Sequence, residues 1–243
     1  MEGSPIVIEC QKKTNIMSTS NRRSAFATPQ TNPATKFLSW KSNDKSFEYY
    51  DKEKAENVKV PLPFRFLVLD ELHSVKGWND ATQSAIYSNE VKFISKESMT
   101  VKPFKGNEIA RGLYADIKEK IKSAGAHYVK SIYVMLEDGS LANIQLKGAA
   151  VQKWGEFTSK VRNRLPDEWI IVEKTIEGKK GAVKFYTPEF RFERSLSESE
   201  AEQADTCFDE LEAYLKTYLA KSEPEAIEVN EPEFIGDYGD LEF

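Results

Sequence analysis

Cysteine and histidine are nearly absent. Among 243 residues only Cys10, Cys207, His73 and His127 occur, and they lie far apart along the chain. A zinc site needs several such ligands at close spacing and a disulfide framework needs paired cysteines, so neither is expected, and a reducing cytoplasm fits. Long apolar runs are missing too: no stretch nears the roughly 20 residues that a membrane-spanning helix requires. The opening MEGSPIVIECQKK has no basic stretch leading into an apolar core, so no signal peptide is expected. Gly148 in LKGAAVQKW is a single glycine rather than a phosphate loop, and His73 has no evident Ser or Cys partner. Without a phosphate loop, zinc set or triad, the composition suits binding rather than turnover; no enzyme activity and no cofactor is expected.

What is present is charge, unevenly placed. The chain carries 34 Lys and Arg against 39 Asp and Glu, net −5. Residues 222–243 hold eight acids and no base, and residues 196–221 hold seven acids and two bases, which leaves residues 1–195 at +8. The final stretch, SEPEAIEVNEPEFIGDYGDLEF, also has two prolines, two glycines and no apolar periodicity, so a disordered tail is expected. A basic body with an acidic tail is able to fold back on itself until a polyanion displaces the tail.

In chain order, residues 1–34 are rich in Ser, Thr, Asn and Pro, with Arg22 and Arg23 adjacent, and read as a mobile arm. KFLSWKS and KSFEYYDKE alternate across Asn43 and Asp44 as a hairpin, and VPLPFRFLVLDEL reads as a central buried strand. VKGWNDATQSA suggests a loop, IYSNEVKFIS a further strand and MTVKPFKG a short one. GNEIARGLYADIKEKIKSAG predicts a helix capped by Asn107 and ended by Gly125. YVKSIYVMLEDGSLANIQLKG turns at Asp138 and Gly139 as a hairpin, and a short helix puts Val151, Trp154, Phe157 and Val161 on one face. The stretch 168–194 forms a last hairpin with a basic tip, and SLSESEAEQADTCFDELEAYLKTYLAK a terminal amphipathic helix capped by Ser197 or Ser199. Seven to nine short strands with an inserted helix predict a mainly β protein with helices (α+β), an OB-fold-like Greek-key barrel over residues 35–221.

Two constellations carry chemistry. Single-stranded nucleic acid is held by Lys and Arg along the phosphates and by flat side chains that stack on bases, about 1–3 kcal/mol per base. Trp40, Tyr50, Trp78, Tyr87 and Tyr186 lie beside polar or basic neighbours, and Arg65, Lys92, Lys102, Lys179, Lys180 and Lys184 supply the charge. Phe47, Phe64, Phe66, Trp154, Phe157, Phe190 and Phe192 are assigned to the core instead. Alternation sends Phe47 and Tyr49 to one face and Tyr50 to the other, without deciding which faces inward. The second constellation is Asp80 or Asp70 with Glu90 and Lys92, the spacing of a Mg²⁺-dependent nuclease centre. An acid two places before a lysine is common by chance, and the upstream acid has no supporting motif.

The arm, the aromatic first hairpin, PLPFRFLVLDEL with GWND and IYSNEV, the LKG-x₅-W element and the acidic Phe-ended tail together resemble phage-encoded single-stranded DNA-binding proteins. GDYGDLEF is similar to the acidic C-terminal tips of bacterial members of that class. The resemblance implies an OB-fold body that coats single strands in the host cytoplasm during replication and recombination. It also implies a tip, Asp237, Asp240, Leu241, Glu242 and Phe243, that recruits replication and recombination proteins. Glu242 stands where such tips often carry Pro. A strand-annealing recombination protein and a virion or scaffold component are the competing expectations.

Overall fold

The computed structural model describes residues 31–222. The arm through residue 30, with Arg22, Arg23 and Cys10, and the tail from residue 223, with the tip residues 237–243, lie outside the described residues. The described body runs through β1 (Lys36–Lys41), β2 (Ser46–Asp51), β3 (Glu56–Val60), β4 (Phe64–Asn79), β5 (Ser84–Ser88), β6 (Met99–Pro103) and β7 (Ala110–Gly112). Helix α1 (Tyr114–Ser123), β8 (Ala126–Leu136), β9 (Leu141–Lys147) and helix α2 (Ala149–Thr158) follow. A 3₁₀ turn (Arg162–Arg164), β10 (Glu168–Lys180), β11 (Val183–Ser195) and helix α3 (Glu198–Ser222) complete it.

β4 is the spine. Its apolar, β-branched first half forms the expected buried strand, but the strand does not stop there: all 16 residues are extended, through the Gly-Trp-Asn segment that composition alone suggests is a loop. The reason is long-range pairing. β8 runs antiparallel beside β4 from Phe66 to Gly77, and the opposite edge of β4 is shared by β10 at its start, Val91 at His73 and β5 at its end. Between Val68 and Asp70 the ladder gains one residue on β4, a bulge at Leu69. Side chains alternate in a strand, so one extra residue flips the parity. Phe64, Phe66 and Val68 face inward before the bulge; Glu71, His73 and Val75 do so after it.

The sheet order is β3-β2-β1-β9-β8-β4-β5-β6-β7, with only β1 and β9 parallel. β10 and β11 form a ribbon on the first residues of β4. The expected sheet-dominated class with helices holds, as an open sheet of eleven strands among the described residues. β3 is a strand that polar composition hides. The first hairpin and the one at Asp138 and Gly139 form as expected, and Tyr50 is the outward member of β2 while Phe47 is wholly buried. Two helices differ from expectation. α1 begins at Tyr114, not at Asn107, because residues 110–112 pair with β6 and Gly112 adopts φ 147 before the Leu113 carbonyl opens the helix. α2 ends at Thr158, so Val161 lies beyond it.

The inner face holds a chain of touching rings, Trp40, Phe47, Phe64, Phe66, Trp154 and Phe190, closed over by α2. Burying each such side chain is worth about 1.5–3 kcal/mol. α1 closes the other half of the same face with Ile117 and Ile121 against Val75, Ile86, Met99 and Val101. On the outer face α3 covers only part of the sheet. Leu211, Tyr214 and Leu215 pack on Leu72 and Tyr133, and Ala204 and Cys207 on Leu67, Met135 and Trp169. Ser197 caps it reciprocally: the Glu200 N–H donates to Ser197 Oγ at 3.4 Å, and the Ser197 N–H donates to Glu200 Oε2 at 2.8 Å. No helix among the described residues is long and apolar enough to cross a membrane.

Candidate nucleic-acid interface

Where β4, β5 and β6 pair, alternation sends Gly77, Ile86, Val101 and Pro103 inward and leaves their neighbours outside. Two rows run across the strands on that outer face. Lys76 on β4 stands opposite Tyr87 on β5, which stands opposite Lys102 on β6. One step along, Trp78 stands opposite Ala85, and the Phe104 N–H donates to the Ala85 carbonyl at 2.8 Å, which carries the row past the end of β6. Trp78, Tyr87 and Phe104 are 50%, 37% and 75% exposed. His127, opposite Lys76 on β8, and Lys147 at the end of β9 extend the basic surface and are exposed.

Gly77 is required for this arrangement. A Cβ there would sit 2.4 Å from the Ala126 Cα and the Gly125 carbonyl oxygen, so any side chain would push β4 off β8. That close approach lets the Trp78 N–H reach the Gly125 carbonyl at 3.3 Å and anchors the exposed ring to a rigid strand. The Lys102 ammonium lies 5.6 Å from the centre of the Tyr87 ring, a cation–π contact. Lys76 Nζ donates to Gln145 Oε1 at 2.9 Å. Burial of the ammonium lowers the Lys76 pKa, opposed by Glu90, whose carboxylate accepts from the Tyr133 hydroxyl at 3.0 Å.

The other expected binding residues fall elsewhere. Trp40 is 7% exposed, packed in the ring chain, and its Nε1–H donates to the Tyr186 carbonyl at 2.8 Å, so it offers no free face to a base. Arg65 forks onto Glu193 at 2.7 and 3.0 Å, which raises the guanidinium pKa further, and Lys92 pairs with Asp70 at 2.7 Å. Tyr50 is exposed on the outer side of β2. Lys179, Lys180, Lys184 and Tyr186 all lie on the β10–β11 ribbon, where Lys184 pairs with Glu177 at 2.9 Å and Lys45 lies 3.8 Å over the Tyr186 ring. That ribbon runs on past Phe64, away from Trp78. β4 at about 3.3 Å per residue is roughly 50 Å long, so the expected single groove divides into a sheet face and a distant arm.

Of the acids expected beside Glu90 and Lys92, Asp70 meets Lys92 at 2.7 Å, whereas Asp80 lies in the turn beyond β4 and Glu90 accepts from the Tyr133 hydroxyl. Among the described residues no group of three or more His, Cys, Asp or Glu is placed to hold a metal ion. A cleft of about 380 Å³ does open where β10 and Val91 leave the edge of β4 bare, lined by Asp70, Glu71, His73, Lys92, Phe93 and Arg162 among others. Its floor is a buried ionic cluster: Glu71 accepts from Trp154 Nε1 at 2.6 Å and from Arg162 at 2.8 Å, with Lys130 at 3.4 Å. His73 shares a 2.5 Å hydrogen bond with the Tyr128 hydroxyl.

Compared with protein-family models, with curated proteins and with solved structures, the chain matches none. The candidate interface therefore rests on its own residues. Lys76, Ala85, Phe104, His127 and Lys147 are its members beyond those expected from sequence; period-two alternation through VKGWN and VKPF was the signal that carried two of them, Lys76 and Phe104.

Proposed function

We propose that this protein binds single-stranded DNA without sequence preference and coats it during replication or recombination, in the manner of phage-type single-stranded DNA-binding proteins. The observation that carries the reading is the outer sheet face on which Trp78, Tyr87 and Phe104 alternate with Lys76 and Lys102 across three paired strands. Rings on a rigid sheet stack on any base, and lysines beside them follow the phosphates, which is sequence-independent chemistry. The basic tip of the β10–β11 ribbon supplies a second contact region. In this reading the protein works in the cytoplasm of a bacterial host, and the acidic tip with Asp237, Asp240, Leu241, Glu242 and Phe243 recruits replication and recombination proteins and competes with DNA. The barrel part of the reading rests on the return of β11 to the end of β1 through Trp40 and Ser42. The implied ring, β1-β9-β8-β4-β10-β11, has six strands rather than the five of an OB-fold.

The test is a gel shift with single- and double-stranded oligonucleotides on the full chain. Preference for the single strand supports the reading; no binding, or equal binding of duplex, rejects it. Accelerated pairing of complementary strands would mark a strand-annealing protein instead, and Mg²⁺-dependent cleavage lost in Glu90→Ala would mark a nuclease.

A further inference from the structure

Ala85 is the one small side chain in a row whose two other members are large exposed rings. Trp78 and Phe104 flank it, each pinned by backbone pairing, one strand away on either side. Ala85 is itself exposed, so the space above it is open to solvent. Neighbouring strands lie about 4.8 Å apart, which sets the two ring-bearing backbones roughly 10 Å apart. One flat base in van der Waals contact on both sides, about 3.5–4.0 Å each, takes up most of that gap, and a lean of the two side chains closes the rest. The adjacent row has the inverse order: Lys76 and Lys102 outside, the Tyr87 ring between them. Two residues along a strand is about 7 Å, a reach that a sugar spans between its base and its phosphate.

We infer that Ala85 is the floor of a base-binding slot walled by Trp78 and Phe104, and that a single strand crosses β4, β5 and β6 with the phosphate of the inserted nucleotide on the Lys76–Lys102 row. The inference rests on the proposed function and adds to it a named subsite. The slot takes an unpaired base of any kind, since both walls contact the π-face. A duplex is excluded because a base inside its stack presents no free face. The charge supports this occupant: Lys76 and Lys102 flank Tyr87 across the row.

Ala85→Leu fills the slot while adding apolar surface, so it separates a slot from a merely sticky patch. With oligo-dT on the full-length protein, Ala85→Leu, Trp78→Ala and Phe104→Ala should each weaken binding by roughly five- to a hundredfold. Trp78 is the sole exposed tryptophan of the four, so the fluorescence change on oligo-dT binding should vanish in Trp78→Phe. An oligomer of abasic deoxyribose phosphate should bind wild type and Ala85→Leu alike. Unchanged or tighter oligo-dT binding by Ala85→Leu overturns the slot and leaves single-strand binding standing. A wild-type protein that binds no oligo-dT overturns the proposed function and the slot with it. Strong binding of an acidic protein segment that is lost in Trp78→Ala, with no oligonucleotide binding, does the same.

Discussion

His73 shows how far a side chain departs from its solution chemistry in this core. Burial first, then the charges of Lys130 and Arg162, disfavour its protonated form and bring its pKa down from 6.5 to about 3. Between those values the unfolded chain binds a proton that the native protein refuses. Native stability therefore falls as pH drops from about 6.5 towards 3, and the contribution is complete above 6.5. At about 1.4 kcal/mol per unit the total is of the order of a few kcal/mol. Urea denaturation of His73→Phe at pH 4 to 7 should show a midpoint that varies less with pH than that of wild type. The neighbouring pair tests burial of charge. Glu71→Leu alone leaves the buried Lys130 ammonium without its carboxylate and should cost about 3–5 kcal/mol, whereas Glu71→Leu with Lys130→Met should recover much of it. Trp40→Phe removes the donor to the Tyr186 carbonyl; a loss of about 1–2 kcal/mol in thermal denaturation with oligonucleotide affinity unchanged is expected, which marks Trp40 as structural.

At the scale of elements, α3 depends on its first turn. Arg194 and Ser197 hold the Glu200 carboxylate well below the usual range, with two Arg194 contacts at 2.6 and 2.7 Å. Ser197→Ala should lower stability by about 1 kcal/mol in a denaturant titration, the ordinary worth of an N-cap. Legibility also divides by element. The first hairpin, the Asp138–Gly139 hairpin, the basic ribbon and the terminal helix follow from local alternation and caps, and they form where expected. β4 was half legible. Its apolar first half announces a strand, but Gly77, Trp78 and Asn79 have turn composition and are extended only because β8 and β5 hold them on both edges. Asn107 has the chemistry of a cap, yet β6 captures residues 110–112 as a strand first. The candidate interface shares this limit. Trp78, Tyr87 and Lys102 were visible as residue types, but their meeting on one face, and the part played by Ala85, depend on a register that no local pattern encodes.

For the whole molecule, the separation of charge along the chain has a measurable outcome. Affinity for oligo-dT should fall linearly on a log–log plot against salt as phosphate contacts release counterions. A titration without salt dependence would point to another ligand. Truncation after residue 222 removes eight acids, and the shortened protein should bind oligo-dT more tightly at low salt while losing its protein partners in a pull-down. Equal or weaker affinity would reject the competing role of the tail.

One strand underlies both inner clusters. Phe64, Phe66 and Val68 belong to the aromatic one and Val75 to the one beneath α1, with the bulge at Leu69 between them. The body consequently has no seam at which to be divided: fragments split between residues 80 and 84 should each fail to fold, and should regain structure only when mixed. Deletion of Leu69 should leave the pairing of β4 with β8 in place and keep Glu71 and His73 inward, because Val68 and Asp70 already stand opposite the consecutive residues Val134 and Tyr133.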